Sequence, residues 1–197
     1  MEQKIILNVP NGKAKEFEAG LKDLLKECGG KISDIQVKDI FDTSKPIWER
    51  INTVDDAIEY TGMTLPENIS ELPTDVQAML KLRIVCAAYN ELTADTLNEF
   101  PKFTEDEYRY YPWFCLYTQE EIDKMDEDDR SRVLGRSNND ASANAGVAYS
   151  YTHSAASNSS TYYGGRLCFK KRELSDECGK RFIELWADFI LLDWRKP

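Results

Sequence analysis

The chain has 197 residues, 42% of them hydrophobic and 11% aromatic, which is enough material for a core and excludes a globally disordered chain. Its formal net charge of −10 speaks against nucleic acid as a partner, because neutralising phosphates takes clustered Lys and Arg and an acidic surface repels a polyanion. No apolar run approaches the length of a membrane span, and the N-terminal MEQKIILNVPNGK lacks the apolar core of a signal peptide, so the expectation is a chain made in the cytoplasm with no membrane insertion.

In chain order, Lys4 to Val9 is a short β-prone run. It is followed by a helical pattern with Phe17, Leu21, Leu24, Leu25 and Cys28 on one face, ended by Gly29-Gly30. Ile32 to Phe41 alternates like a strand, so residues 1–43 read as a small βαβ-like unit, and they carry no glycine-rich phosphate loop. Ser44-Lys45-Pro46 breaks the pattern and opens a main domain over 44–197. There, Thr53 with Asp56 caps a short helix that Gly62 ends. Thr74 with Gln77 has the spacing of a capping box and opens DVQAMLKLRIVCAAYNEL, a run apolar nearly all round that is expected to form a buried central helix.

Pro101 to Tyr117 is densely aromatic and reads as packed core or strand, with a ligand platform as the rarer outcome. Thr118 with Glu121 forms another capping box. The acidic run Glu120 to Asp129 lacks the glycine and ligand spacing of a calcium loop, so it reads as a solvated face. Arg166 to Phe169 reads as a strand with Leu167 and Phe169 facing one way. Leu174, Cys178, Phe182, Leu185, Trp186, Phe189 and Ile190 then recur at helical steps and predict one long amphipathic C-terminal helix. The fold class is α+β.

Catalytic constellations are sparse. The single histidine, His153, has no second histidine to complete a relay, and zinc would need several His or Cys ligands at short spacing. Cys28, Cys86, Cys115, Cys168 and Cys178 are odd in number, scattered and without a CxxC pair, as expected of reduced, buried thiols. A small hydrolase using His153 is the weakest reading. The chain reads as a binding protein with no catalytic residue, no metal and no cofactor.

Ser137 to Tyr163, SNNDASANAGVAYSYTHSAASNSSTYY, has the composition of a linker, with Asp140 its only formal charge. Yet patterned segments flank it on both sides, so it is internal to a domain, where a long structureless loop is uncommon. Tyr, Ser, Asn and Gly are also the residues that suit binding loops: Tyr gives contact area at low entropy cost, and the others give adaptable hydrogen bonding. Composition leaves a recognition surface and a flexible polar loop both open. The candidate ligand-binding residues are Asn138, Asn139, Asp140, Ser142, Asn144, Tyr149, Tyr151, His153, Asn158, Tyr162 and Tyr163.

This Ser/Asn/Tyr/Ala-biased segment, ending in Gly164-Gly165-Arg166-Leu167-Cys168-Phe169, resembles the variable region of proteins diversified by diversity-generating retroelements, many of them encoded by bacteriophages. In that family, randomised adenines turn Asn codons into Ser, Thr, Tyr, Asp, His, Ala or Gly. Lys, Glu, Gln, Met and Trp do not arise from them, and all five are missing from Ser137 to Tyr163. The framework LYTQEEIDKM, RVLGRS, GGRLCFKKREL and GKRFIELWADF is similar to uncharacterised phage and prophage proteins of gut Bacteroidales. The resemblance implies a C-type-lectin-like fold that displays a hypervariable face to a host-surface protein or glycan. It also implies virion association, with a homo-oligomer or a virion component as further partner. Two features depart from the family pattern: the stretch has no Trp, and a helical segment follows it. The competing reading is a structural or assembly protein of a phage particle, with the stretch as a solvated loop.

Overall fold

The computed structural model describes residues 5–9, 14–27, 35–39, 44–99, 107–134, 146–156 and 165–190. Contacts divide the chain into two compact units, Met1–Arg50 and Ile51–Pro197.

In the first unit, β1 (Ile5–Val9) and β2 (Ile35–Asp39) pair in parallel, Ile5 opposite Ile35 and Val9 opposite Asp39, with α1 (Ala14–Glu27) between them in sequence. Parallel neighbours cannot be joined by a tight turn, so the chain needs a crossover, and the 3–4 spacing of Phe17, Leu21 and Leu24 makes that crossover a helix. Phe17 and Leu24 nevertheless stay 46% and 60% exposed. The side chain of Leu25, together with Cys28 and Gly29-Gly30, lies outside the described residues. Pro46 then opens a single turn, α2 (Ile47–Arg50), in which the Glu49 N–H donates to the Pro46 carbonyl at 3.0 Å. The division therefore falls after this turn, later than the Ser44–Pro46 break in the sequence.

The second unit is mixed α+β. Helix α3 (Val54–Thr61) carries both halves of a capping box, with the Asp56 N–H donating to Thr53 Oγ1 at 3.0 Å and the Thr53 N–H to Asp56 Oδ2 at 2.9 Å. Gly62 ends it in the left-handed region at φ 68°. Helix α4 (Thr74–Tyr89) is the central one, burying Leu82 and the run Ile84 to Tyr89, and it packs against α3 and both C-terminal helices. The capping box expected at its start is absent: Thr74 is already helical, Pro73 stands at the cap, and Gln77 turns back to donate to the Leu72 carbonyl at 2.8 Å. Proline's fixed φ and missing N–H suit a helix entrance, so the boundary falls one residue earlier than the Thr-x-x-Gln pattern implies. The helix also stops before Asn90, and Glu91 follows at φ 57°.

Strand β3 (Tyr108–Tyr117) leads into α5 (Gln119–Lys124), capped by Thr118 and Glu121 in a complete capping box, and α6 (Glu127–Ser131), capped by Asp126. Strand β4 (Gly146–Ala156) returns antiparallel to β3, so the middle of the Ser/Asn/Tyr-rich stretch is a regular strand. The register runs from Tyr108 opposite Ala156 to Tyr117 opposite Gly146, with a bulge: Trp113 faces Tyr151 while Phe114 faces Tyr149, which leaves Ser150 unopposed.

The expected strand Arg166–Phe169 is instead a 3-10 turn, Gly165–Leu167, followed by a lone bridge from Phe169 to Tyr110. That bridge explains how proline sits inside β3. Tyr110 exchanges both backbone hydrogen bonds with Phe169, at 3.0 and 2.9 Å, so its polar groups point away from β4. By alternation the nitrogen of Pro112 points the same way, and its missing N–H leaves the β3–β4 ladder intact.

The single C-terminal helix expected from the sequence is broken at Phe182 into α7 (Arg172–Arg181) and α8 (Ile183–Ile190). Leu174, Cys178, Phe182 and Trp186, four residues apart, are all buried, so the apolar stripe survives the break. Tyr89 meets the edges of Phe169 and Phe182 with ring centroids 6.3 and 5.9 Å apart, which joins α4 to this layer. Among the described residues, no helix is long and apolar enough to cross a membrane.

Candidate functional site

The β3–β4 ribbon has two unlike faces. One lies against α7 and α8. Because the bulge shifts the alternation, Tyr149 and Thr152 both turn toward α7. Tyr149 Oη donates to Asp176 Oδ1 at 2.6 Å, Thr152 Oγ1 donates to Ser175 Oγ at 2.9 Å, and Arg172 Nη1 donates to the Thr152 carbonyl at 2.9 Å. Lys180 stands over the Tyr149 ring at 5.5 Å. Burial, followed by the hydrogen bond to Asp176, pushes the Tyr149 phenol well above the ordinary tyrosine range, so it stays a donor at physiological pH. Gly179 on α7 permits this approach: a Cβ there would come within 2.8 Å of Pro112 Cβ and of the Tyr149 ring.

The other face carries Trp113, Tyr151 and His153. Trp113 and Tyr151 are stacked at 6.2 Å with 30° between planes. His153 lies 5.9 Å from Trp113 and 6.3 Å, edge-on, from Tyr151. Tyr151 is 47% exposed, and Trp113 and His153 are half-buried. The three rings form an aromatic shelf, a surface suited to contact with a ligand laid against it.

At the Tyr117 end of the ribbon, Ile122 of α5 and Val133, which follows α6, lie beside Gly146. Gly146 is buried there, and a Cβ on it would fall 2.5 Å from Val133 Cγ1 and 2.9 Å from Ile122 Cδ1. Beside it opens a cleft of about 220 Å3 bordered by Cys115, Tyr117, Met125, Asp129, Arg132 and Ser150. At the opposite end Tyr111 is fully buried near Cys168. Burial raises that thiol to about 11, with Arg109 and a hydrogen bond from Tyr111 pulling the other way.

Of the residues singled out in the sequence, Tyr151 and His153 come together on the exposed shelf, whereas Tyr149, two positions from Tyr151, faces the scaffold. Asn138, Asn139, Asp140, Ser142, Asn144, Asn158, Tyr162 and Tyr163 lie outside the described residues. Trp113 was missed. It stands in the aromatic run that reads as core, and only its pairing with Tyr151 brings it to the shelf. No protein family, curated protein or solved structure matches the chain.

Proposed function

We propose that this chain is a non-catalytic recognition protein that presents the outward face of β4, with its flanking polar segments, to a surface ligand of another cell. The observation that carries this reading is the division of labour within β4. Tyr149 and Thr152 fasten the strand to α7, and alternate positions turn Tyr151 and His153 outward beside Trp113. A polar, tyrosine-rich segment held on a rigid support loses little entropy on binding. The resemblance to retroelement-diversified phage proteins extends the proposal to a host-surface protein or glycan as ligand and to display on a virion. The C-type-lectin-like topology rests on that resemblance alone.

The test is binding of the labelled protein to intact bacteria of a Bacteroidales panel, with protease-treated and periodate-treated cells separating protein from glycan ligands. The expected result is binding to a subset of strains that Tyr151→Ala and His153→Ala abolish without moving the melting temperature. Binding unchanged by both substitutions, or binding to no strain, overturns the proposal.

A further inference from the structure

Away from the ribbon, a groove of about 370 Å3 runs between α4 and the segment after α3. That volume falls within the range of about 300–1,000 Å3 typical of small-molecule sites. Met63, Leu65, Leu80, Ile84 and Leu97 give its walls apolar side chains, Thr64 and polar backbone lie among them, and Arg83 lines it as well. Arg83 is exposed and makes no hydrogen bond or ion pair with any described residue. Beyond Arg83 and Leu97 the surface continues into a small recess that Arg166 also lines, its guanidinium anchored on the Leu97 carbonyl and on Asn98 Oδ1. Arg83 thus borders both the groove and the recess, and it is the one cationic side chain among the described residues that line the groove, in a chain whose net charge is −10.

A neutral apolar occupant would leave that cation unused, and a cationic one would be repelled by it. An occupant with an apolar body and an anionic head satisfies both parts. The planar fork of Arg83 matches a carboxylate bidentately, and such a charge-assisted pair gains strength beside apolar walls. We propose that this groove binds a small apolar carboxylic acid, with the hydrocarbon body between Met63, Leu80 and Leu97 and the carboxylate on Arg83. This site is independent of the recognition shelf.

Methionine methyls provide the probe. The chain has four methionines, of which Met63 lines the groove and Met125 lines the separate cleft by β3, so carbon-13 methyl-labelled protein carries its own control. Titration with decanoate below its micelle concentration is expected to shift the Met63 methyl saturably and to leave Met125 in place. Decan-1-ol and decyltrimethylammonium are expected to bind at least about tenfold more weakly, the scale set by losing one charge-assisted hydrogen-bonded pair. Arg83→Gln, at an exposed helix position, should fold normally and should bring decanoate down to the affinity of decanol. The proposal is overturned if Met63 and Met125 shift alike, if Met63 does not shift, or if decanol or the Arg83→Gln variant binds as well as decanoate with the native chain.

Discussion

Tyr149 Oη lies 2.6 Å from Asp176 Oδ1, and with the Thr152–Ser175 and Arg172–Thr152 hydrogen bonds it fastens the polar strand β4 to α7. A hydrogen bond to a charged acceptor is worth about 1.5–3 kcal/mol, less where water reaches it. Tyr149→Phe should therefore cost about 1–2 kcal/mol in urea denaturation, whereas Tyr151→Ala, on the exposed shelf, should stay within about 0.5 kcal/mol. Equal costs for the two tyrosines would mean that the strand has no scaffold side.

The close approach of α7 to the ribbon rests on Gly179. Alanine improves helix propensity by about 1 kcal/mol over glycine, but here its Cβ meets Pro112 Cβ and the Tyr149 ring at 2.8 Å. Overpacking of this kind costs about 1–3 kcal/mol. Gly179→Ala should destabilise the protein, and the exposed Gly20→Ala, with nothing within 4 Å of its Cβ, should stabilise it in the same thermal-melt comparison.

Asn90 is a buried clamp. Its Nδ2 donates to the carbonyls of Cys86 and Cys168, each at 2.8 Å, and its Oδ1 accepts from the Lys170 N–H at 2.9 Å. Removing the amide takes this partner from the Cys168 carbonyl and the Lys170 N–H, while the Cys86 carbonyl keeps the Asn90 backbone N–H. Asn90→Ala should cost about 2–4 kcal/mol, and amide exchange at Lys170 should rise by more than global unfolding explains.

The described cysteines are free, with Cys86, Cys168 and Cys178 buried and Cys115 half-buried. A thiol reagent at pH 8, used on a Cys28→Ser background, should label Cys115 well before the other three. Burial holds the Cys168 thiol up to about 11 and that of Cys86 well above 9.0. The folded state therefore keeps protons that the unfolded chain releases near pH 9. That contribution to stability is complete below pH 9 and is lost as pH rises through the folded value. The denaturation midpoint should accordingly fall between pH 9 and 11, and Cys168→Ala should flatten the fall.

Thr118→Ala should cost about 1 kcal/mol by removing the cap of α5. The hydrogen bonds from the Thr118 N–H and hydroxyl hold the Glu121 carboxyl below its ordinary 4.5. A depressed carboxylate stabilises the fold above its unfolded value and loses that effect as pH falls. The penalty of Thr118→Ala should therefore shrink in acid, as read from melts at pH 7 and pH 3.

Local chemistry made the caps at Thr53 and Thr118, the Gly62 stop and the apolar α4 legible from the sequence, because each depends on residues a turn apart. What the sequence hid depends on partners far along the chain. Nothing in SNNDASANAGVAYSYTHSAASNSSTYY announces a strand: its β-branched residues are few, and its pairing is supplied by β3, far earlier in the chain. The break at Phe182 was hidden too, since the apolar spacing of four continues unbroken across it. Trp113 read as core because the side of β3 it occupies is set by β4.

The unopposed Ser150 gives β4 a fixed count. Exchanging one side chain for another at Tyr151 or His153 leaves every remaining residue on its own side of the sheet. With Tyr149 held on Asp176, inserting one residue between Ser150 and Tyr151 would turn Tyr151 and His153 toward α7 and bring Thr152 out into solvent, since strand faces alternate with period two. The strand can therefore vary freely in its outward letters but not in its length, and change at the shelf is confined to substitution.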